Sequence, residues 1–205
     1  MKWIGKKFAG LEALCRYYQE LGIDASILPD DSPEAVQQGF LVQDLGYIKV
    51  GERNFNLVTV RMKSSRGYGC AMGPIPIPLA WKEKTRFQYH HIVRPSHVDE
   101  IAFKAKLKKK KKGLFSKEIA AVTWKGGSLA TTLNADPEIE RALLNFLTTE
   151  DDLSINPDKK NNVVRIVFSR PAEMKVGVLQ GFKFDRRLYP KEAIDVINKI
   201  AGLIR

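Results

Sequence analysis

Lysines dominate the residues of this chain that could do chemistry. Lys104 and Lys106 alternate with apolar positions, and Lys108, Lys109, Lys110, Lys111 and Lys112 follow without a break. Clustered ammonium groups make and break no bonds; they concentrate positive potential and attract polyanions. From residue 104 to residue 125 there are nine lysines against one acid, Glu118, so this segment carries +8 of the formal net charge of +11. The rest of the chain carries only +3, which makes the basicity local. The expected partner is an anionic macromolecule or surface, either a nucleic acid or an anionic membrane. Lysine lacks the planar fork with which arginine reads base edges, so such docking is expected to be weakly sequence-specific. Two roles need no partner at all: lysines protect exposed edge strands, and a solvated hairpin tip is commonly charged.

A second candidate is the glycine-rich stretch Gly67-Tyr68-Gly69-Cys70-Ala71-Met72-Gly73. A dinucleotide loop opens directly into a helix whose N–H groups meet the phosphates. Here Pro74-Ile75-Pro76-Ile77-Pro78 follows, and the glycine spacing does not fit. A surface loop is the better reading, and no cofactor is expected. The alternative to a binding protein is an enzyme with its site at loop 64–73, using Cys70 as nucleophile and His90 or His91 as base. Cys70 is expected not to fill that role, because no helix N-terminus or adjacent cation is there to stabilise a thiolate.

Metal ligation is not expected. His90 and His91 are adjacent, and adjacent strand residues point to opposite faces. His97, Asp99 and Glu100 lie beyond Pro95, and no helical His pair or cysteine pair is present. The acid pairs Asp30-Asp31 and Glu150-Asp151-Asp152 sit in polar surroundings that suit solvated caps and loops.

These groups must be positioned by a folded core. Apolar residues make up 44% and charged residues 28%, which is globular rather than disordered. Cys15 and Cys70 are far apart, which suits a reducing compartment, and no apolar run reaches bilayer length. The expected location is cytoplasmic. A homo-oligomer is compatible with the sequence.

Ile4, Phe8, Leu11, Cys15 and Tyr18 recur at helical steps, predicting an amphipathic helix over 4–21. Strands are predicted over 23–28, 40–50 and 55–63, with a short helix opened by Ser32-Pro33 and ended at Gly39. A strand over 86–93 stops at Pro95. The alternation at 103–108 turns Phe103, Ala105 and Leu107 inward and Lys104, Lys106 and Lys108 outward; Lys106 and Lys108 to Lys112 are all expected to be solvent-exposed and mobile. A strand over 119–124 follows. Asp136-Pro137-Glu138 opens a helix running to about 147, and residues 156–162 read as a loop between strands 153–155 and 163–168. A separate strand is predicted over 174–179. Tyr189-Pro190 opens a last helix whose stripe is Ile194, Ile197, Ala201 and Ile204. Hairpins joined by short turns predict an α+β fold, mainly antiparallel sheet with flanking N-terminal and C-terminal amphipathic helices. The chain reads as one unit over 1–205, with a possible subdivision into similar halves, 1–94 and 95–205.

Overall fold

The computed structural model describes residues 9–29, 32, 44–51, 54–65, 84–113, 118–177, 181–184 and 190–205. Helix α1 (Ala9–Glu20) leads into strands β1 (Ala25–Leu28), β2 (Asp44–Val50), β3 (Leu57–Ser65) and β4 (Lys84–Val93). The hairpin β5 (Ala105–Lys111) and β6 (Ile119–Gly126) is followed by helices α2 (Ser128–Asn134) and α3 (Pro137–Phe146). Strands β7 (Asp152–Asp158), β8 (Val163–Gly177) and β9 (Gly181–Phe184) precede helix α4 (Lys191–Ile204). Eight strands form one antiparallel sheet in the order β1-β2-β3-β4-β8-β7-β5-β6, and β9 pairs with the far half of β8. The fold is α+β. Among the described residues strand exceeds helix, and α1 and α4 are the two longest helices. No helix among the described residues is long and apolar enough to cross a membrane.

The period-two pattern decides which face is the core. Phe87, Tyr89 and Val93 of β4, Val164, Ile166 and Phe168 of β8, and Leu153 and Ile155 of β7 all join the main apolar cluster. The stripes of α1 and α4 join the same cluster, so these helices cover that face. In α4, Ile194, Ile197, Ile200 and Ile204 are all buried, each contributing about 1.5–3 kcal/mol. Asn54 fixes the helix laterally: its backbone N–H donates to Asn198 Oδ1 (2.8 Å) and its Nδ2 donates to the Asn198 carbonyl (3.0 Å). Lys199 ties α4 to the start of α3 by ion pairs with Asp136 (2.8 Å) and Glu138 (2.7 Å).

Local rules place most of the elements. Asp136 caps α3 by accepting from the Glu138 and Ile139 N–H groups, with Pro137 at the first position. Gly126 has φ +149° and lies so close to the Lys104 backbone carbonyl that no Cβ fits. That close approach sends the chain from β6 into α2, a helix not anticipated from the sequence.

Two loop readings are corrected. Asn156, Pro157 and Asp158 belong to β7, where Pro157 stands opposite Val164. β8 runs unbroken from Val163 to Gly177 through Ser169, Arg170 and Pro171, so residues 163–168 and 174–177, predicted in separate strands, share one; 178–179 lie outside the described residues. Both prolines sit where the sheet is open on one side: β5 pairs with β7 only at Ile155 and Ser154, and β7 leaves β8 at Ser169. A missing N–H breaks no ladder there. The predicted turn of helix at 33–39 and the glycine-rich stretch 66–73 lie outside the described residues.

Candidate functional site

One face of the sheet carries α1 and α4; the strand alternation sends a different set of side chains to the other face. Register aligns these in rows. One row runs Arg61 (β3), Gln88 (β4), Ser169 (β8), Asp152 (β7); the next runs Thr59, His90, Val167, Ser154, Lys106, Lys125. Lys108 continues the β5 column beyond Lys106. In these rows Arg61, Lys106 and Lys125 outnumber the carboxylates, which are Asp152 and, opposite Arg61 on β2, Asp44.

Lys104, Lys106, Lys108, Lys110, Lys111 and Lys112 are exposed, as expected from the sequence. Lys112 also pairs with Glu118 at 3.3 Å across the hairpin. Lys109 is different, and here the sequence reading is corrected. Its parity is that of Ala105 and Leu107, so it turns toward the core side, and its side chain is only 13% exposed. The ammonium donates to the carbonyls of Thr148 (3.2 Å), Thr149 (2.9 Å) and Asp151. Burial lowers its pKa, while Asp152 and Asp151 oppose that shift. Lys109 thus fastens β5 to the loop between α3 and β7, and its charge is used inside the fold.

That loop has its own anchor. Asp151 is fully buried and accepts from Arg170 Nε and Nη2, both at 2.9 Å, and from the Thr148 N–H at 2.9 Å. The bond to Asp151 raises the Arg170 pKa. On the open face, Arg86 Nε donates to Ser169 Oγ (3.2 Å), and Nη2 donates to the Glu150 carbonyl (2.6 Å) and to Asp152 Oδ2 (2.8 Å). The Glu150-Asp151-Asp152 run is therefore a structural hub rather than a solvated cap.

Beyond Lys106 and Ser154, β5 and β7 diverge. Two depressions result. The larger, about 300 Å³, lies over β4, β8, β7 and β5; the smaller, about 230 Å³, lies between β5 and Thr149. They share Lys106 and Asp152.

The two histidines point to opposite faces, as the alternation predicts. His91 is buried beneath α1, 3.2 Å from the Tyr18 hydroxyl and 3.3 Å from the Ile166 carbonyl. A carbonyl only accepts, so Nδ1 carries the proton and Nε2 accepts from Tyr18. His90 is buried on the other face, and neither ring nitrogen has a hydrogen-bond partner among the described residues. Burial first, then Arg61 and Arg165, hold its pKa down to about 3. Neither histidine lines the two depressions. Cys70 lies outside the described residues, so the enzyme reading gains no geometry from them. Asp99 accepts from the Ile101 and Ala102 N–H groups.

Arg86, Gln88, Ser154 and Ser169 went unnoticed as site residues. Their signal was the polar parity of β4 and β8, but only strand order brings them beside Lys106. No protein-family model, curated protein or solved structure matches the chain.

Proposed function

We propose that this protein is a non-enzymatic binding protein that docks on the phosphodiester backbone of a nucleic acid through the β5–β6 hairpin and the adjoining open sheet face. The observation that carries this reading is the array of exposed lysines on that hairpin: Lys106, Lys108, Lys110 and Lys111 make no ion pair among the described residues, and Lys125 stands opposite Lys106 on β6. An array spread over two strands suits a line of phosphates. A membrane-docking hairpin would also present apolar side chains for insertion. Leu114 and Phe115, the apolar pair beside the lysine run, lie outside the described residues, so the vesicle arm of the test separates the two surfaces; among the described residues the large exposed apolar side chains, Ile101 and Leu203, lie off the hairpin. Lysine supplies charge without base-edge geometry, so binding is expected to vary little with sequence.

The test is a variant with Lys108, Lys110, Lys111 and Lys112 changed to Ser, leaving Lys109 in its internal role. Binding is compared on duplex DNA and on anionic phospholipid vesicles. Loss on DNA with little vesicle binding by either protein supports the reading. Loss confined to vesicles replaces it with membrane docking, and unchanged binding to both assigns the lysines to edge protection.

A further inference from the structure

The larger depression on the open face has the makings of a discrete anion site, apart from the hairpin beside it. Its floor is built by register. Gln88, Ser169 and Asp152 lie in one row and Val167, Ser154 and Lys106 in the next, with Arg86 above them. The donors here are in excess. The Gln88 carboxamide and the Lys106 ammonium have no hydrogen-bond partner among the described residues. Ser154 Oγ accepts from Asn156 Nδ2 (3.1 Å) and keeps its own proton to donate. Arg86 uses Nε and Nη2 internally, which fixes the plane of the guanidinium and leaves the Nη1 donors over. The one carboxylate, Asp152, is already engaged by Arg86 at 2.8 Å and faces Lys109 at 3.9 Å.

We infer that this depression binds a single phosphate group. Donors from β4, β7 and β5 surround it, which matches a tetrahedral anion with three or four acceptor oxygens better than a two-oxygen carboxylate. A volume of about 300 Å³ has room for one phosphate and for part of the molecule that carries it. Asp152 at the wall sets the affinity by opposing the anion. The source of the phosphate rests on the nucleic-acid reading; the site itself does not.

The probe is inorganic phosphate, titrated while amide resonances are followed, with acetate as the carboxylate control. The expected result is saturable shifts at Gln88, Lys106, Ser154 and Ser169, with acetate at least tenfold weaker. Lys106→Ser and Gln88→Leu should each weaken phosphate binding, about tenfold and several-fold. Asp152→Asn, which keeps an acceptor for Arg86, should tighten it several-fold. The four-lysine hairpin variant should bind phosphate within about twofold of wild type even where it loses DNA, so the two proposals fail separately. Shifts that do not saturate, equal binding of acetate, or indifference to Lys106→Ser and Asp152→Asn would overturn the assignment. A 5′-phosphorylated oligonucleotide compared with its 5′-hydroxyl form then identifies the source: preference for the phosphorylated end supports a terminal phosphate of a nucleic acid. Equal binding of the two ends overturns that source.

Discussion

Acidification from pH 7 to pH 5 should remove about 4 kcal/mol of folding stability through His90 and His91. Burial is the leading cause at both residues; it holds His90 down to about 3 and His91 to about 4. At His91 the Ile166 carbonyl opposes the shift without reversing it. In the unfolded chain each imidazole titrates near its ordinary value of about 6.5. The folded pKa lies below the unfolded one, so the unfolded chain binds more protons in this window. The contribution to stability is therefore complete above about pH 6.5 and falls as pH drops toward the folded values. At pH 5 each histidine is about 1.5 units below its unfolded pKa, or about 2 kcal/mol at 1.36 kcal/mol per unit. Asp99 is held below the usual carboxylate range by the Ala102 N–H, and Asp136 by Lys199, so their protonation belongs to more acidic conditions. Urea unfolding followed by tryptophan fluorescence measures the effect; with a slope of about 2 kcal/mol/M the midpoint should drop by about 2 M. His90→Leu removes a buried imidazole that has no hydrogen-bond partner among the described residues. It should roughly halve the acid sensitivity and leave stability at pH 7 equal to or above wild type. A midpoint that stays flat from pH 7 to pH 5, or a His90→Leu variant as acid-sensitive as wild type, refutes the reasoning.

Asp151→Ala strands the Arg170 guanidinium and should cost about 3 kcal/mol, whereas Asp151→Leu with Arg170→Met should cost less than the single change; urea midpoints of both variants check this. Lys109→Ser should lower stability by about 1–2 kcal/mol because the Thr149 and Asp151 carbonyls lose their ammonium donor, whereas the Thr148 carbonyl keeps the Asp151 N–H; Lys110→Ser stays within about 0.5 kcal/mol of wild type. Asn134 closes the outer edge of β6: Trp124 N–H donates to its Oδ1 (2.7 Å) and its Nδ2 donates to the Trp124 carbonyl (2.9 Å). Asn134→Ala should cost about 1–2 kcal/mol and promote aggregation, read by light scattering, because the strand edge is opened. Gly126→Ala should cost at least about 2 kcal/mol in a thermal melt, from backbone strain and the Lys104 carbonyl.

Short-range patterns were readable in the chain. Alternation set the faces of Lys104, Ala105, Lys106, Leu107 and Lys108, and it set His90 and His91 apart. Asp136-Pro137 marked the start of α3 because capping is local. The register joining Gln88, Ser169 and Asp152 spans more than sixty residues, and no local signal encodes it. Lys109 is the instructive case. Its parity with Ala105 and Leu107 placed it inward, yet the surrounding charge run grouped it with the exposed lysines. The carbonyls that accept its ammonium come from residues 148–151, which the sequence alone does not bring near. Pro157 fell in a segment that reads as a loop because a proline's tolerance in a strand depends on whether a neighbour lies on its N–H side, which is a property of the sheet.

On the nucleic-acid reading the exposed lysines of the β5–β6 hairpin meet phosphates. Its most direct test is the salt dependence of duplex DNA binding by wild type and by the variant with Lys108, Lys110, Lys111 and Lys112 changed to Ser. A plot of log K against log salt should be shallower for the variant by roughly 0.9 for each lysine that contacts a phosphate. Parallel lines, with or without a change in affinity, would contradict the claim.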